Sequence, residues 1–311
     1  MHLLGLKGMG RREIEAILDS ARAFKEVSAR KIKKVPALRG KTVVLFFWEP
    51  STRTRISFEL AAKRLSADTL NMSSAESSMV KGESAIDTAR NIQAMNVDII
   101  VVRHSSAGLP YLLSRAIDVS VINAGDGCNE HPTQGLLDLF TIREKKGRIS
   151  RLSVCIIGDI AHSRVARSNI YGLKAMGAEV SICAPPTLIP RDVDDLGVGV
   201  FLSLDEAIKR ADVINVLRLQ FERQREPGRE IPDINEYRRL FGIDKQRLRR
   251  AKNDLLILHP GPVNRGIELS PEVADGKNSV ILEQVTNGVA VRMAVLYLVS
   301  RGSKQSPNPE S

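Results

Sequence analysis

The chain has 311 residues, of which 43% are hydrophobic and 26% charged, with a formal net charge of +10. This is the composition of a folded soluble protein long enough for two domains, and no apolar run approaches the ~20 residues that span a bilayer. The basic balance suits nucleic acid or small anions equally, but aromatic residues are only 4% and no nucleic-acid motif is present, so nucleic acid is not an expected partner.

The N-terminal Met1-His2-Leu3-Leu4-Gly5 lacks the basic-then-apolar order of a secretory signal, and a cytoplasmic location is expected. Cys128, Cys155 and Cys183 are odd in number and widely spaced, which suggests reduced thiols and neither a disulfide framework nor a metal site. Short β-branched runs predict strands over 43–47, 69–72, 98–102, 120–123, 152–157, 179–183, 213–216 and 255–258. Between them Ile86, Ala89, Ile92 and Met95 recur at helical spacing, as do Leu136, Leu139, Phe140 and Arg143 after Pro132.

That alternation predicts an α/β protein: two doubly wound parallel-sheet domains linked by long helices. The helix starting near Pro132 is read as the bridge, giving domains of 1–133 plus 286–311 and of 134–285. A last apolar helix over 289–298 is expected to follow Gln284-Val285-Thr286-Asn287-Gly288, with a polar, Pro-rich tail beyond it.

The run Ser51-Thr52-Arg53-Thr54-Arg55 lies between the predicted strand 43–47 and a helical segment. Hydroxyls and guanidiniums at a helix start, beside free backbone N–H groups, suit a phosphate. The plain alternative is a Ser/Thr cap beside solvated arginines. Two nucleotide-site lookalikes fail. Gly40-Lys41-Thr42 precedes a strand and lacks the first glycine of a phosphate-binding loop, and Gly125-Asp126-Gly127 has Glu130 in the third glycine's place.

Further polar groups follow predicted strand ends, where parallel sheets put ligands. Arg103-His104 follows 98–102, and His131-Pro132-Thr133-Gln134 comes after 120–123. Arg218 and Gln220 follow 213–216, and His259-Pro260-Gly261-Pro262 follows 255–258. The stretch from Ser77 to Glu83, which includes Lys81, reads on its own as a surface loop. No Cys/His pair has metal spacing and no Ser-His-acid order is convincing, so neither a metal, a cofactor nor covalent catalysis is expected. Fixed positive donors instead suit orientation of anions and stabilisation of an oxyanion.

Together the Ser51–Thr54 run and Arg55, His131-Pro132-Thr133-Gln134 and the late His-Pro-x-Pro resemble the transcarbamoylase family over nearly the whole chain. Arg218-Leu219-Gln220, His259-Pro260-Gly261-Pro262-Val263-Asn264-Arg265-Gly266 and Gln284-Val285-Thr286-Asn287-Gly288 look like the branch that carbamoylates aspartate. An ornithine-specific relative would carry a His-Cys-Leu-Pro segment in place of His259-Pro260-Gly261-Pro262. The resemblance implies carbamoyl transfer from carbamoyl phosphate to the amine of L-aspartate, an early step of pyrimidine synthesis.

By that resemblance Ser51, Thr52, Arg53 and Thr54 hold the phosphate, and Thr54, Arg103 and His131 donate to the carbonyl oxygen. Gln134 and the carbonyls of Pro260 and Gly261 orient the carbamoyl NH2. Arg164, Arg218 and Gln220 hold aspartate's carboxylates, joined by Lys81, which with Ser77 comes from a neighbouring subunit of a homotrimer. Glu49, Arg164 and Arg223 fall where the family bridges its closed domains. Trp48 adds bulk beneath the phosphate loop. The resemblance leaves open whether the trimer stands alone, pairs with regulatory chains or docks onto dihydroorotase.

Overall fold

The computed structural model describes residues 1–73, 83–220 and 233–302. The calls on Ser77, Lys81, Arg223 and the tail beyond Gly302 lie outside the described residues. The chain divides into two compact units, one of residues 1–6, 12–136 and 286–311, the other of 7–11 and 137–285.

The first unit runs α1 (Arg11–Ala29), β1 (Thr42–Phe47), α2 (Thr52–Arg64), β2 (Asp68–Ser73), α3 (Ala85–Ala94), β3 (Ile99–His104), α4 (Leu109–Ala116), β4 (Ser120–Asp126) and the start of α5 (Pro132–Lys146). Its sheet is four-stranded, in the order β2-β1-β3-β4. All three pairings are parallel, with Val44 opposite Leu70 and Ile100, and Ile100 opposite Val121. The sheet is buried by helices, which is why β1 and β3 read as apolar runs and every residue of β4 is buried. Val44, Phe46, Ile100 and Val102 pack with Ala89 and Ile92 of α3 and Leu113 of α4.

The second unit continues with β5 (Ser153–Ile157), α6 (Arg164–Ala175), β6 (Glu179–Cys183), α7 (Val193–Leu196), β7 (Gly199–Phe201), α8 (Leu204–Arg210) and β8 (Val213–Val216). After these come α9 (Ile234–Phe241), α10 (Lys245–Leu248), β9 (Leu256–Leu258), α11 (Pro271–Ala274) and the start of α12 (Ile281–Gly302). The sheet is five-stranded and parallel, in the order β7-β6-β5-β8-β9. Beyond residues 7–11, which the second unit takes from the N-terminal segment, the chain passes between the units inside α5 and α12.

Two local expectations need correction. Gln284-Val285-Thr286-Asn287-Gly288 does not precede the last helix but forms its second turn, because α12 begins at Ile281. Strand β7 was absent from the sequence reading: its 3 residues, Gly199–Phe201, pair only with β6 at the sheet edge and carry too little pattern. Helix α1 did have a signal, with Ile14, Ile17, Leu18 and Ala21 buried at helical spacing.

Much of the basic surface is engaged locally. Arg247 donates to the carbonyls of Leu240 and Gly242 at 2.7 and 3.0 Å. Arg250 pairs with Asp205, and Lys252 with Asp212, each at 2.6 Å. Such pairing fits solvated helix faces and loops better than a nucleic-acid stripe.

All three cysteines are free thiols. Cys155 is 1% exposed and Cys183 is not exposed at all. Burial disfavours the thiolate, pushing the Cys155 thiol up to about 12 and raising that of Cys183 as well. A disulfide reagent at about pH 8 should therefore react quickly with Cys128 alone in the folded protein, and with Cys155 and Cys183 only after denaturation. Fast native labelling of Cys155 would contradict this packing.

Candidate active site

In each unit the winding reverses between two adjacent strands: β1 and β3 in the first, β5 and β8 in the second. Ligands of doubly wound sheets bind at the carboxyl ends of strands beside such a reversal. The residues singled out by sequence lie after those strands or their neighbours.

In the first unit, Ser51 stands at the N-cap of α2 with extended backbone, φ −160° and ψ 95°. Its hydroxyl makes no capping bond, although its carbonyl accepts the amide of Arg55 at 3.2 Å. The plain capping role therefore does not account for Ser51. Thr52, Arg53 and Thr54 form the first turn, with Arg53 exposed and Thr54 buried. The N–H groups of a helix's first turn point away from its internal hydrogen-bond ladder, so the field and the side chains here both favour an anion.

Arg103 belongs to β3 itself, one residue later than the predicted strand end, and sits where the β3–β4 register shifts between Val102 and His104. The residue is 9% exposed. One Nη donates to the Ala124 carbonyl at 3.1 Å and the other faces Glu49 Oε1 at 3.4 Å. The Trp48 amide donates to the Arg103 carbonyl at 2.8 Å, tying the end of β1 to the end of β3. Trp48 packs edge-on against Phe46, with ring centroids 4.7 Å apart. The neighbouring His104 ring accepts the Ser106 amide at 2.8 Å, and burial holds its basicity below the ordinary histidine range.

His131 is 4% exposed, and its carbonyl accepts the amides of Gln134 and Gly135 at 2.9 and 3.1 Å, opening α5. A buried acid organises this approach. Asp126 accepts the Gly108 amide at 2.7 Å, the Glu130 amide at 3.1 Å and the Asn123 side-chain amide at 2.8 Å. Glu130, which spoils the dinucleotide fingerprint, accepts the Leu6 amide at 2.6 Å instead. Gln134 follows on the first turn of α5 and is 8% exposed.

In the second unit, β5 ends at Ile157 and the next residue, Gly158, has φ +122°. A Cβ there would lie 2.4 Å from the Leu217 carbonyl oxygen. Only glycine lets the turns after β5 and β8 approach this closely. Gly158→Ala should therefore cost at least ~2 kcal/mol of folding stability and weaken ligand binding by the second unit. Unchanged denaturant midpoint and ligand affinity would contradict it.

Asp159 is fully buried and joins the same two turns. One oxygen lies 2.7 Å from His162 Nδ1, and the other accepts the Gln220 amide at 3.1 Å. Ser163 caps α6 by accepting the Ala166 amide at 3.2 Å, and Arg164 opens that helix at 4% exposure. Arg218 and Gln220 are half-buried in the segment after β8.

After β9 the His259 side chain turns inward and is fully covered. Its Nδ1 accepts the Gly261 amide at 2.8 Å, so the ring proton sits on Nε2, 3.2 Å from Glu268 Oε1. The sequence left open whether a histidine at this strand end faces a ligand, and in the structure the His259 ring is a structural hydrogen bonder. It shapes the turn through Pro260 and Gly261, which are half-buried, and the Gly261–Pro262 peptide bond is cis. Sequence reasoning met Asp126 only inside a failed dinucleotide lookalike and missed Asp159 altogether, although their side chains hold the turns that present His131 and Gln220. No ligand-type motif surrounds Asp159.

Two parallel sheets with cationic, amide and hydroxyl donors gathered after their switch-point strands have the chemistry of a protein that handles small anions. The chain belongs to the aspartate/ornithine carbamoyltransferase family: residues 1–144 match its carbamoyl-P binding domain and residues 150–299 its Asp/Orn binding domain. It is 59% identical over 301 residues to the aspartate carbamoyltransferase catalytic subunit of Syntrophus aciditrophicus (strain SB), covering 97% of each chain. Among solved structures it is similar to the catalytic subunit of M. Jannaschii aspartate transcarbamoylase, with TM-score 0.84 and 37% identity over 98% of this chain and 99% of that one. It is also similar to aspartate transcarbamoylase from Trypanosoma cruzi in complex with carbamoyl phosphate and aspartate, with TM-score 0.86, 28% identity and 95% of each chain covered.

Proposed function

We propose that this chain transfers the carbamoyl group of carbamoyl phosphate to the amino group of L-aspartate, giving N-carbamoyl-L-aspartate and phosphate for pyrimidine synthesis. The observation that carries this reading is the start of α2, where Ser51 leaves its hydroxyl out of the cap and Thr52, Arg53 and Thr54 make up the first helical turn. A doubly charged phosphate is what such an arrangement neutralises best. The catalytic-subunit relative at 59% identity supports aspartate as acceptor, as does the structure that holds carbamoyl phosphate and aspartate together.

In the reaction the aspartate nitrogen bonds to the carbamoyl carbon, the carbon–oxygen bond to phosphate breaks, and the departing phosphate can accept the proton that the nitrogen sheds. Direct attack needs no covalent enzyme intermediate when both reactants are held in line. Arg53 neutralises the leaving group. Thr54, Arg103 and His131 donate to the carbonyl oxygen as negative charge builds there. Gln134 and the carbonyls of Pro260 and Gly261 take the carbamoyl NH2. Arg164, Arg218 and Gln220 hold the carboxylates of aspartate, since a guanidinium fork matches a carboxylate and would repel ornithine's cationic side chain.

The active form in this reading is a cytoplasmic homotrimer in which Ser77 and Lys81 reach a neighbouring subunit's site. Among the described residues no helix is long and apolar enough to cross a membrane. The assignment is tested by comparing L-aspartate and L-ornithine as acceptors with carbamoyl phosphate as donor. Turnover should be strong with aspartate and near background with ornithine. Preference for ornithine would overturn the assignment of Arg218 and Gln220.

A further inference from the structure

The second unit contains a carboxylate that no step of the reaction uses. Asp138, on α5, is fully buried. One oxygen accepts Asn169 Nδ2 at 2.8 Å and Asn215 Nδ2 at 3.1 Å; the other accepts Gln284 Nε2 at 2.7 Å. Gln284 then passes the link on, because its Oε1 accepts the backbone amide of His259 at 2.9 Å.

Each donor sits on an element that leads into the aspartate and carbamoyl contacts assigned above. Asn169 belongs to α6, which Arg164 opens. Asn215 belongs to β8, which runs into Arg218 and Gln220. The His259 amide precedes Pro260 and Gly261, and the His259 ring fixes the Gly261 amide. We infer that Asp138 is a positioning residue, one buried carboxylate that sets the mutual geometry of these three segments. This inference rests on the carbamoyl-transfer reading of the preceding section.

The chemistry of the bonds makes the role specific. An asparagine at 138 keeps the shape of the side chain but must turn an NH2 toward one set of donors. If that NH2 faces Gln284, the glutamine must flip, and its own NH2 then meets the His259 N–H. The donor conflict is thereby delivered to the turn that carries Pro260 and Gly261. Exchanging the two groups, with Asp138→Asn and Gln284→Glu together, restores every one of these bonds at unchanged charge. The amide of residue 138 then donates to the new carboxylate, whose other oxygen still accepts from His259.

The test measures kcat and both KM values for wild type, D138N, Q284E and the double variant, with melting temperature in parallel. Q284M and the core control L173A extend the set, since Leu173 is 1% exposed, apolar and on α6. D138N and Q284E should each raise the KM for aspartate by roughly 10–100-fold, the scale on which ångström misplacement is felt. The double variant should recover most of that loss. Q284M should raise KM even if D138N does not fold, whereas L173A should lower the melting temperature with KM unchanged. The inference is overturned if the single variants lose stability with KM and kcat intact, or if the double variant shows no recovery. Lack of wild-type turnover with aspartate would remove the functional reading itself, a result distinct from unaltered variants of an active enzyme.

Discussion

Arg53→Ala is expected to lower kcat/KM for carbamoyl phosphate by roughly 10³-fold, the scale found when a charged donor to a transferring or departing group is removed from a preorganised site. Arg53 lies on the first turn of α2 and is exposed in the free chain, so its loss should change folding stability by no more than ~0.5 kcal/mol. The expected pattern is a large kinetic loss at constant melting temperature. Arg53→Lys should fall between the two, because lysine keeps the charge but loses the planar fork. Steady-state kinetics with calorimetry on the same samples checks both halves. A variant that keeps most of its turnover would remove the phosphate from the start of α2.

Arg103→Gln should be nearly as damaging, by roughly 10²-fold in kcat, for a different reason. Arg103 is 9% exposed and already held by the Ala124 carbonyl and Glu49, so its orientation is paid for before substrate arrives. Glutamine is shorter and neutral. In the proposed reaction it would leave the carbonyl oxygen of the substrate without a cation, and it leaves Glu49, whose side chain is 25% exposed, without this arginine's charge. The second effect should cost about 1 kcal/mol of stability, so this variant, unlike Arg53→Ala, should also melt earlier. A stability loss without a kinetic loss would make Arg103 a purely structural residue.

Glu49 bears on the same comparison. The family resemblance places it with Arg164 and Arg223 in a bridge between closed domains. In this structure it faces Arg103 within the first unit at 3.4 Å.

The architecture was legible in sequence where burial is two-sided. β1, β3, β5 and β8 lie inside parallel sheets, and their largely apolar runs have no other ready explanation. The start of α2 was legible because donors of one chemistry are consecutive there. β7 was not, because three residues on a sheet edge carry no periodicity. The role of the His259 ring was not legible, because a histidine after a strand looks the same whether its ring faces a ligand or folds back on Gly261 and Glu268. Least legible was the cluster around Asp138. Its partners Asn169, Asn215 and Gln284 are 31, 77 and 146 positions away, and only the folded sheet brings them together.

The most direct measurement follows the transferred carbon. With ¹³C-labelled carbamoyl phosphate and ¹⁵N-labelled L-aspartate, the purified chain should generate a product whose carbonyl resonance is split by the attached nitrogen, with phosphate released in equal amount. Phosphate release without that splitting, or label joined to any atom other than the aspartate nitrogen, would contradict direct carbamoyl transfer between two anions held by these donors.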